Sequence, residues 1–313
     1  MVIKKKIKKV LVVLGGTSGE RAVSLNSGKA CINALKKKKY IVSKFDPKFN
    51  NLNLIKKKKI DVIFNALHGK DGEDGLAQSY FEYFKIPYTH SGIISSFNCM
   101  NKIISKKIFK KNKILTPKYF SLNNIEFKKV NLKKLIKNKK INYPIVIKPA
   151  NEGSSLGVKI CNNINSLFKY AKKIHKKYNQ IIFEEFIGGQ EIQAAVLNNK
   201  SVGAIELIPK RTFYDYKAKY SKAAKTEHIM PARLKKNKYF EVLKIAKLAH
   251  KALECKGVTR SDFKFFKNKF YLLEINTQPG MTNLSLVPEI AKYHGINFPD
   301  LIDKILQDAG TNR

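Results

Sequence analysis

The stretch Leu272-Leu273-Glu274-Ile275-Asn276-Thr277-Gln278-Pro279-Gly280-Met281-Thr282 decides how this chain is read. From Leu273 to Asn276 apolar and polar side chains alternate, the pattern of a strand with one packed face. A second β-patterned run, 258–266, precedes it, and the intervening Lys267-Asn268-Lys269 predicts a hairpin with a three-residue loop centred on Asn268. That register sets Asp262 opposite Glu274 and Arg260 opposite Asn276 on one face, with Phe263, Phe265, Leu273 and Ile275 on the other. Facing carboxylates repel unless a cation joins them. With an Asn carbonyl beside them they form a hard-oxygen set suited to Mg²⁺, and Arg260 stands where it can stabilise a developing oxyanion. A solvated sheet face carrying ordinary cross-strand pairs is the alternative.

Upstream, an apolar strand at 10–14, a glycine-rich turn at 15–20 and a helical pattern at 23–35 open a βαβ unit, which strands at 41–45 and 61–67 continue. The first unit, 1–96, therefore reads as a doubly wound α/β domain with a parallel sheet. A second, 97–187, contains a helix to Lys111, a lysine-rich polar stretch, a strand at 143–147, a glycine-bearing loop, a helix near 164–178 and a strand at 181–183. The third, 188–313, has strands at 192–197 and 202–207, an irregular segment from Pro209 to Pro231, a helix at 239–253 and the hairpin, which makes its sheet antiparallel. The fold class is thus α/β with α+β. The irregular segment is too long for a connector and is a candidate active-site loop.

Composition bounds the partners. The 313 residues, 43% hydrophobic, suffice for two or three structural units, and no internal repeat is visible. The net charge of +39 would attract polyanions, but it is carried almost wholly by lysine in scattered short runs; the arginines are five, Arg21, Arg211, Arg233, Arg260 and Arg313. Lysine, isoleucine and asparagine, all encoded by A/T-rich codons, are abundant together, so base composition accounts for the charge better than nucleic-acid binding does. Cys31, Cys99, Cys161 and Cys255 form no Cys-x-x-Cys pair, which indicates reduced thiols rather than zinc or disulfides. The lysine-rich start and the apolar run at 10–14 are too short for a signal peptide, and no segment has the length of a membrane span. A cytoplasmic protein that binds neither membrane nor nucleic acid is expected.

Six motifs in order carry a family resemblance: 15–24 (GGTSGERAVS), 66–75 (ALHGKDGEDG), 147–149 with 152–158 (IKP, EGSSLGV), 212–220 (TFYDYKAKY), 259–262 (TRSD) and 273–286. The chain resembles the D-alanine:D-alanine ligases of the ATP-grasp superfamily over nearly its whole length. The resemblance implies an ATP-grasp module in two parts after the first domain. It implies ADP-forming ligation of two D-alanines through an acyl phosphate, for peptidoglycan precursors, with ATP as substrate, two Mg²⁺ ions (Mn²⁺ able to substitute) and a homodimer formed through the first domain.

The resemblance also implies roles. Glu20, which read alone is a helix-capping carboxylate, would anchor the ammonium of the first D-alanine and hydrogen-bond Ser154 and Tyr220. His68, as often structural as functional when read alone, would lie near that substrate's carboxylate, and Ser285 and Leu286 would border the substrates. Lys102, Lys148 and Ser155 would bind phosphates, and the irregular segment 209–231 would act as a lid that carries Lys219 near the γ-phosphate. Glu184, Glu185, Phe186 and Ile187 would line the adenine pocket and Glu191 would take the ribose hydroxyls. Asp262, Glu274 and Asn276 would hold metal, and Arg260 with the Gly280 N–H would stabilise the tetrahedral oxyanion. Tyr220 favours the peptide over an ester product. Ala22, Glu185 and the residues 221–227 depart from the family's usual pattern without removing a catalytic group. A ligase of the same superfamily with another acceptor would share Lys148 and the hairpin.

Overall fold

The computed structural model describes residues 7–153, 156–209, 226–282 and 285–313. The first sheet contains β1 (Lys9–Val13), β2 (Ile41–Phe45) and β3 (Val62–Asn65), all parallel in the order β2-β1-β3. β1 lies between the other two, and its Val10 to Val13 are buried without alternation, as a strand covered on both faces must be. Helix α1 (Arg21–Lys37) packs on one face through Ala34 and Leu35, and α2 (Leu76–Tyr83) covers the other through Ala77 and Phe81.

Helices α3 (Ile93–Met100) and α4 (Lys102–Lys111) follow where one helix is expected. Asn101 breaks the run because its side chain accepts from the N–H groups of Ile103 and Ile104, both at 3.1 Å, and so caps α4. The lysine-rich stretch beyond holds a strand and two short helices: β4 (Tyr119–Asn123), α5 (Asn124–Lys129) and α6 (Leu132–Asn138). Then come β5 (Ile145–Pro149), β6 (Lys159–Cys161), α7 (Ile164–Ile174) and β7 (Gln180–Glu185). The four strands form an antiparallel sheet in the order β4-β7-β5-β6, with α5 to α7 packed on its core face.

A tight turn at Gly188-Gly189 leads into the third sheet. Gly189 has φ +82°, and a Cβ there would meet the Phe265 carbonyl at 2.2 Å, so only glycine fits. The sheet is antiparallel, β10-β9-β8-β11-β12, formed by β8 (Gln190–Leu197), β9 (Lys200–Ile208), β10 (Glu227–Ile229), β11 (Val258–Phe266) and β12 (Lys269–Asn276). Helix α8 (Lys236–Ala252) covers one face. On the other, α9 (Leu286–Tyr293) and α10 (Phe298–Gln307) share a core with β1 and α1, so the end of the chain packs back against its beginning. The parallel sheet expected first and the antiparallel sheet expected after it are both present. All four cysteines are buried free thiols, and no helix among the described residues is long and apolar enough to cross a membrane.

The hairpin corrects the sequence reading in an instructive way. Its loop has two residues, not three: Phe266 pairs with Lys269, and Lys267 and Asn268 both have positive φ (46° and 61°), the backbone of a type I′ turn. That loop alone would shift every downstream pair by one. A bulge between Asp262 and Phe263 takes up the shift, so Asp262 still faces Glu274 and Arg260 still faces Asn276. The bulge also exchanges two leucines. Leu272, not Leu273, is fully buried beside Phe263, while Leu273 lines the cleft between the two antiparallel sheets. Leu272→Ala is therefore expected to cost about 2–5 kcal/mol in denaturant unfolding, and Leu273→Ala less than about 1.5. The reverse order would contradict the bulge.

Candidate active site

The cleft between the second and third sheets gathers Lys102, Lys148, Glu184, Glu185, Phe186, Ile187, Glu191, Asp262 and Glu274, from positions 172 residues apart at most in sequence. Most of its charged groups are paired, one pair within a strand and the others across elements. On the hairpin, Arg260 donates to both oxygens of Asp262, Nε to Oδ1 at 2.8 Å and Nη2 to Oδ2 at 3.0 Å. Lys102, at the first turn of α4, lies 3.1 Å from Glu274 and donates to the Glu152 carbonyl at 2.6 Å. Lys148 on β5 donates to Glu184 Oε1 at 2.9 Å. Glu191 pairs with Lys264 at 2.9 Å at the cleft's far wall. The Asn276 Oδ1 accepts from the Gln278 N–H at 3.0 Å, which closes the turn after β12.

Glu184 has a second cation that the sequence reading misses. Lys106, wholly buried one turn after Lys102, lies 2.5 Å from Glu184 Oε2 and donates to Thr116 Oγ1 at 2.6 Å. Burial pushes the Glu184 carboxyl up, but the charges and hydrogen bonds of Lys106 and Lys148 outweigh it and hold it below the usual range. Burial lowers the Lys106 ammonium and Glu184 draws it part of the way back, leaving it at about 8. The signal was available: Lys102 and Lys106 stand i, i+4 on a helix whose start Asn101 marks.

A second cluster lies at the carboxyl end of the parallel sheet. Glu20 precedes α1, but its side chain makes no capping hydrogen bond. Its Oε2 is instead 2.8 Å from where a Cβ would stand on either Gly69 or Gly153, so these glycines make room for the carboxylate. The capping alternative is thus set aside. His68 Nδ1 is 3.0 Å from Glu73 Oε1, and its Nε2 is 3.2 Å from Ser27 Oγ, which also accepts from the Met281 N–H at 3.1 Å. Burial pushes the Glu73 carboxyl up despite His68. Ser285 Oγ accepts from the Thr282 N–H at 3.0 Å and stands 2.9 Å from where a Cβ would lie on Gly280. The Leu286 side chain is buried in the core, so it can border a substrate only through its backbone. Ser154, Ser155, Lys219 and Tyr220 lie outside the described residues.

Buried amides join the two clusters. Gln278 donates to the Leu67 carbonyl at 2.5 Å and accepts from Asn65 at 2.9 Å and Gln78 at 3.3 Å. The turn that follows the hairpin is thereby tied to the His68 loop.

Comparison with known proteins names the family. A profile described as D-ala D-ala ligase C-terminus matches residues 108–307, and one described as D-ala D-ala ligase N-terminus matches 43–91. The chain belongs to the D-alanine–D-alanine ligase family. A D-alanine–D-alanine ligase of Pelagibacter ubique is 57% identical over 98% of this chain and 99% of its own length. One of Geotalea uraniireducens is 41% identical, with 97% and 96% covered. Among solved structures, the Bacillus anthracis D-alanine–D-alanine ligase complexed with ATP superposes with a TM-score of 0.85 at 34% identity, covering 97% of both chains. The VanG D-Ala:D-Ser ligase of Enterococcus faecalis gives 0.84 at 27% identity, covering 96% of this chain and 99% of that one.

Within this ligase the amide network is open to a direct check. Replacing Gln278 by Leu leaves the Leu67 carbonyl and one of the two Asn65 amide N–H groups without a partner in the interior, the other still reaching the Gly72 carbonyl, and is expected to cost about 2–4 kcal/mol in thermal or denaturant unfolding. Unchanged stability would show that these amides hold nothing together.

Proposed function

We propose that this chain joins two D-alanines into D-alanyl-D-alanine, releasing ADP and phosphate, as a cytoplasmic step in supplying peptidoglycan precursors. The observation that carries the reading is the convergence of Lys102, Lys148, Asp262 and Glu274 on one cleft, in a chain that matches D-alanine–D-alanine ligases from end to end. Residues 1–96, 97–187 and 188–313 are its working units.

The donor set suits magnesium. Asp262 and Glu274 are paired across the hairpin at the cleft, each already balanced by a cation, and Asn276 adds a carbonyl oxygen two residues on. Asp262, Glu274 and Asn276 would hold two Mg²⁺ ions, or Mn²⁺ in their place. Such ions neutralise phosphate charge and align a phosphoryl group for in-line transfer.

The remaining steps follow from the chain's own groups. Lys102 and Lys148 bind the phosphates of ATP, together with Ser155 and Lys219. Glu184, Glu185, Phe186 and Ile187 surround the adenine, and Glu191 takes the ribose hydroxyls. Glu20, in its glycine-lined niche, anchors the ammonium of the first D-alanine, and His68, kept in place by Glu73 and Ser27, meets its carboxylate. That carboxylate attacks the γ-phosphorus, giving D-alanyl phosphate and ADP. The amine of the second D-alanine, bordered by Ser285 and the Leu286 backbone, then attacks the acyl carbon once its ammonium form has given up a proton. Arg260 and the Gly280 N–H stabilise the oxyanion before phosphate leaves. Ser154 and Tyr220 complete the network around Glu20, and the lid excludes water from the acyl phosphate.

A homodimer through the first unit is supported by Leu76, Tyr83 and Ile94, which leave large apolar side chains exposed on the adjacent helices α2 and α3. A sedimentation mass equal to one chain would contradict it. The likeness to a D-Ala:D-Ser ligase makes D-serine the competing acceptor.

ADP release is expected to require D-alanine and to ignore L-alanine, D-lactate and, as second substrate, D-serine. ATP turnover indifferent to D-alanine would overturn the proposal. Arg260→Ala is expected to lower turnover by roughly 10²–10³-fold, as loss of an oxyanion donor does, and near-wild-type turnover would remove Arg260 from that role. Asp262→Asn and Glu274→Gln should each raise the Mg²⁺ concentration needed for half-maximal rate; an unchanged requirement in both would refute the metal assignment.

A further inference from the structure

Lys106 is a buried ammonium with no substrate role assigned to it, and its surroundings indicate what it does. Its side chain is fully enclosed, it lies 2.5 Å from Glu184 Oε2, and it is held by Thr116 Oγ1 at 2.6 Å. Its Nζ also stands 5.4 Å from the centre of the Tyr119 ring, and Tyr119 is the strand partner of Glu184. Lys148 occupies the other oxygen of the same carboxylate at 2.9 Å. Two ammoniums therefore share one carboxylate that is only 3% exposed.

The sharing matters when a phosphate arrives. The Lys148 ammonium has donors to spare, but its charge must be divided between Glu184 and any phosphate it meets. Were Lys148 the only counter-ion, its departure would leave a buried carboxylate uncompensated, and the pair would resist the ligand. We infer that Lys106 is a positioning residue for nucleotide binding: it keeps Glu184 compensated through Oε2, so that Lys148 can turn from Oε1 to the phosphates of ATP. The inference rests on the proposed phosphate role of Lys148. Lys106 itself touches neither substrate nor metal ligand. Its fixed hydrogen bond to Thr116 and its ring contact hold it in place while Lys148 moves.

The test is a double-mutant cycle on the full-length enzyme, with ADP release measured while ATP and D-alanine are varied separately. Lys106→Met is expected to raise the KM for ATP by on the order of tenfold or more, with the KM for D-alanine within about twofold of wild type. In a Glu184→Gln background, where no carboxylate needs a counter-ion, the same substitution should change the KM for ATP by less than about threefold. Lys106→Arg, which keeps the charge, should recover much of the lost affinity. Equal fold-changes in both backgrounds, or both KM values rising together, would overturn the inference and leave Lys106 a packing residue. Should Lys106→Met not fold, Lys106→Gln, uncharged but able to bond Thr116, takes its place in the cycle. Lys148→Ala separates the two layers. An unchanged KM for ATP in that variant would remove the phosphate role of Lys148, whereas a raised KM with an additive cycle would refute the role of Lys106 alone.

Discussion

Carboxylates gathered in a cleft need cations at hydrogen-bond distance, the more so the deeper they lie, and helix α4 supplies two of them from a single face. Lys102 reaches Glu274 on the third sheet and Lys106 reaches Glu184 on the second. One helix, started at a defined residue by Asn101, is thus pinned electrostatically to both walls of the cleft. The other charged groups fall into place around those two contacts. Arg260 balances Asp262 on the hairpin, and Lys148 shares Glu184 from β5. The charges line the space between two sheets with separate cores, and α4 also packs apolar side chains on each, Phe109 against the third sheet and Ile103 against the second.

The hairpin shows how a correct functional pairing can rest on a wrong local geometry. Alternation places Asp262, Glu274, Arg260 and Asn276 together whether the loop has three residues or a two-residue turn is offset by a bulge. Sequence pattern cannot separate the two, because Leu272 and Leu273 are identical side chains on opposite faces. What the bulge changes is which leucine closes the core and which meets the cleft. Bulges at functional sites re-aim side chains in this way, and here the result is an apolar wall beside two carboxylates.

Much of the remainder was legible where chemistry and spacing agreed. The buried run of β1, the glycines before α1 and the strand carrying Lys148 all announce themselves by period and turn residues. Lys106 does not, because in a chain with 62 basic residues a lysine ordinarily marks a solvated surface, and only its helical distance from Lys102 sets it apart. The lysine-rich stretch after α4 conceals β4, α5 and α6 for the same reason. Gln278 lies 213 residues from Asn65 and 200 from Gln78, and no local pattern brings it to them. Glu20 illustrates the opposite case: local pattern favours a helix cap, whereas the tertiary structure places its carboxylate between two glycines from distant loops.

The account is most directly tested by a crystal structure of the enzyme with a non-hydrolysable ATP analogue and Mn²⁺, read by anomalous scattering. It predicts manganese peaks in contact with the Asp262 and Glu274 carboxylates, Lys148 turned from Glu184 to a phosphate oxygen, and Lys106 still on Glu184. Manganese bound away from both carboxylates, with the Lys148 to Glu184 contact unbroken beside a bound nucleotide, would contradict it.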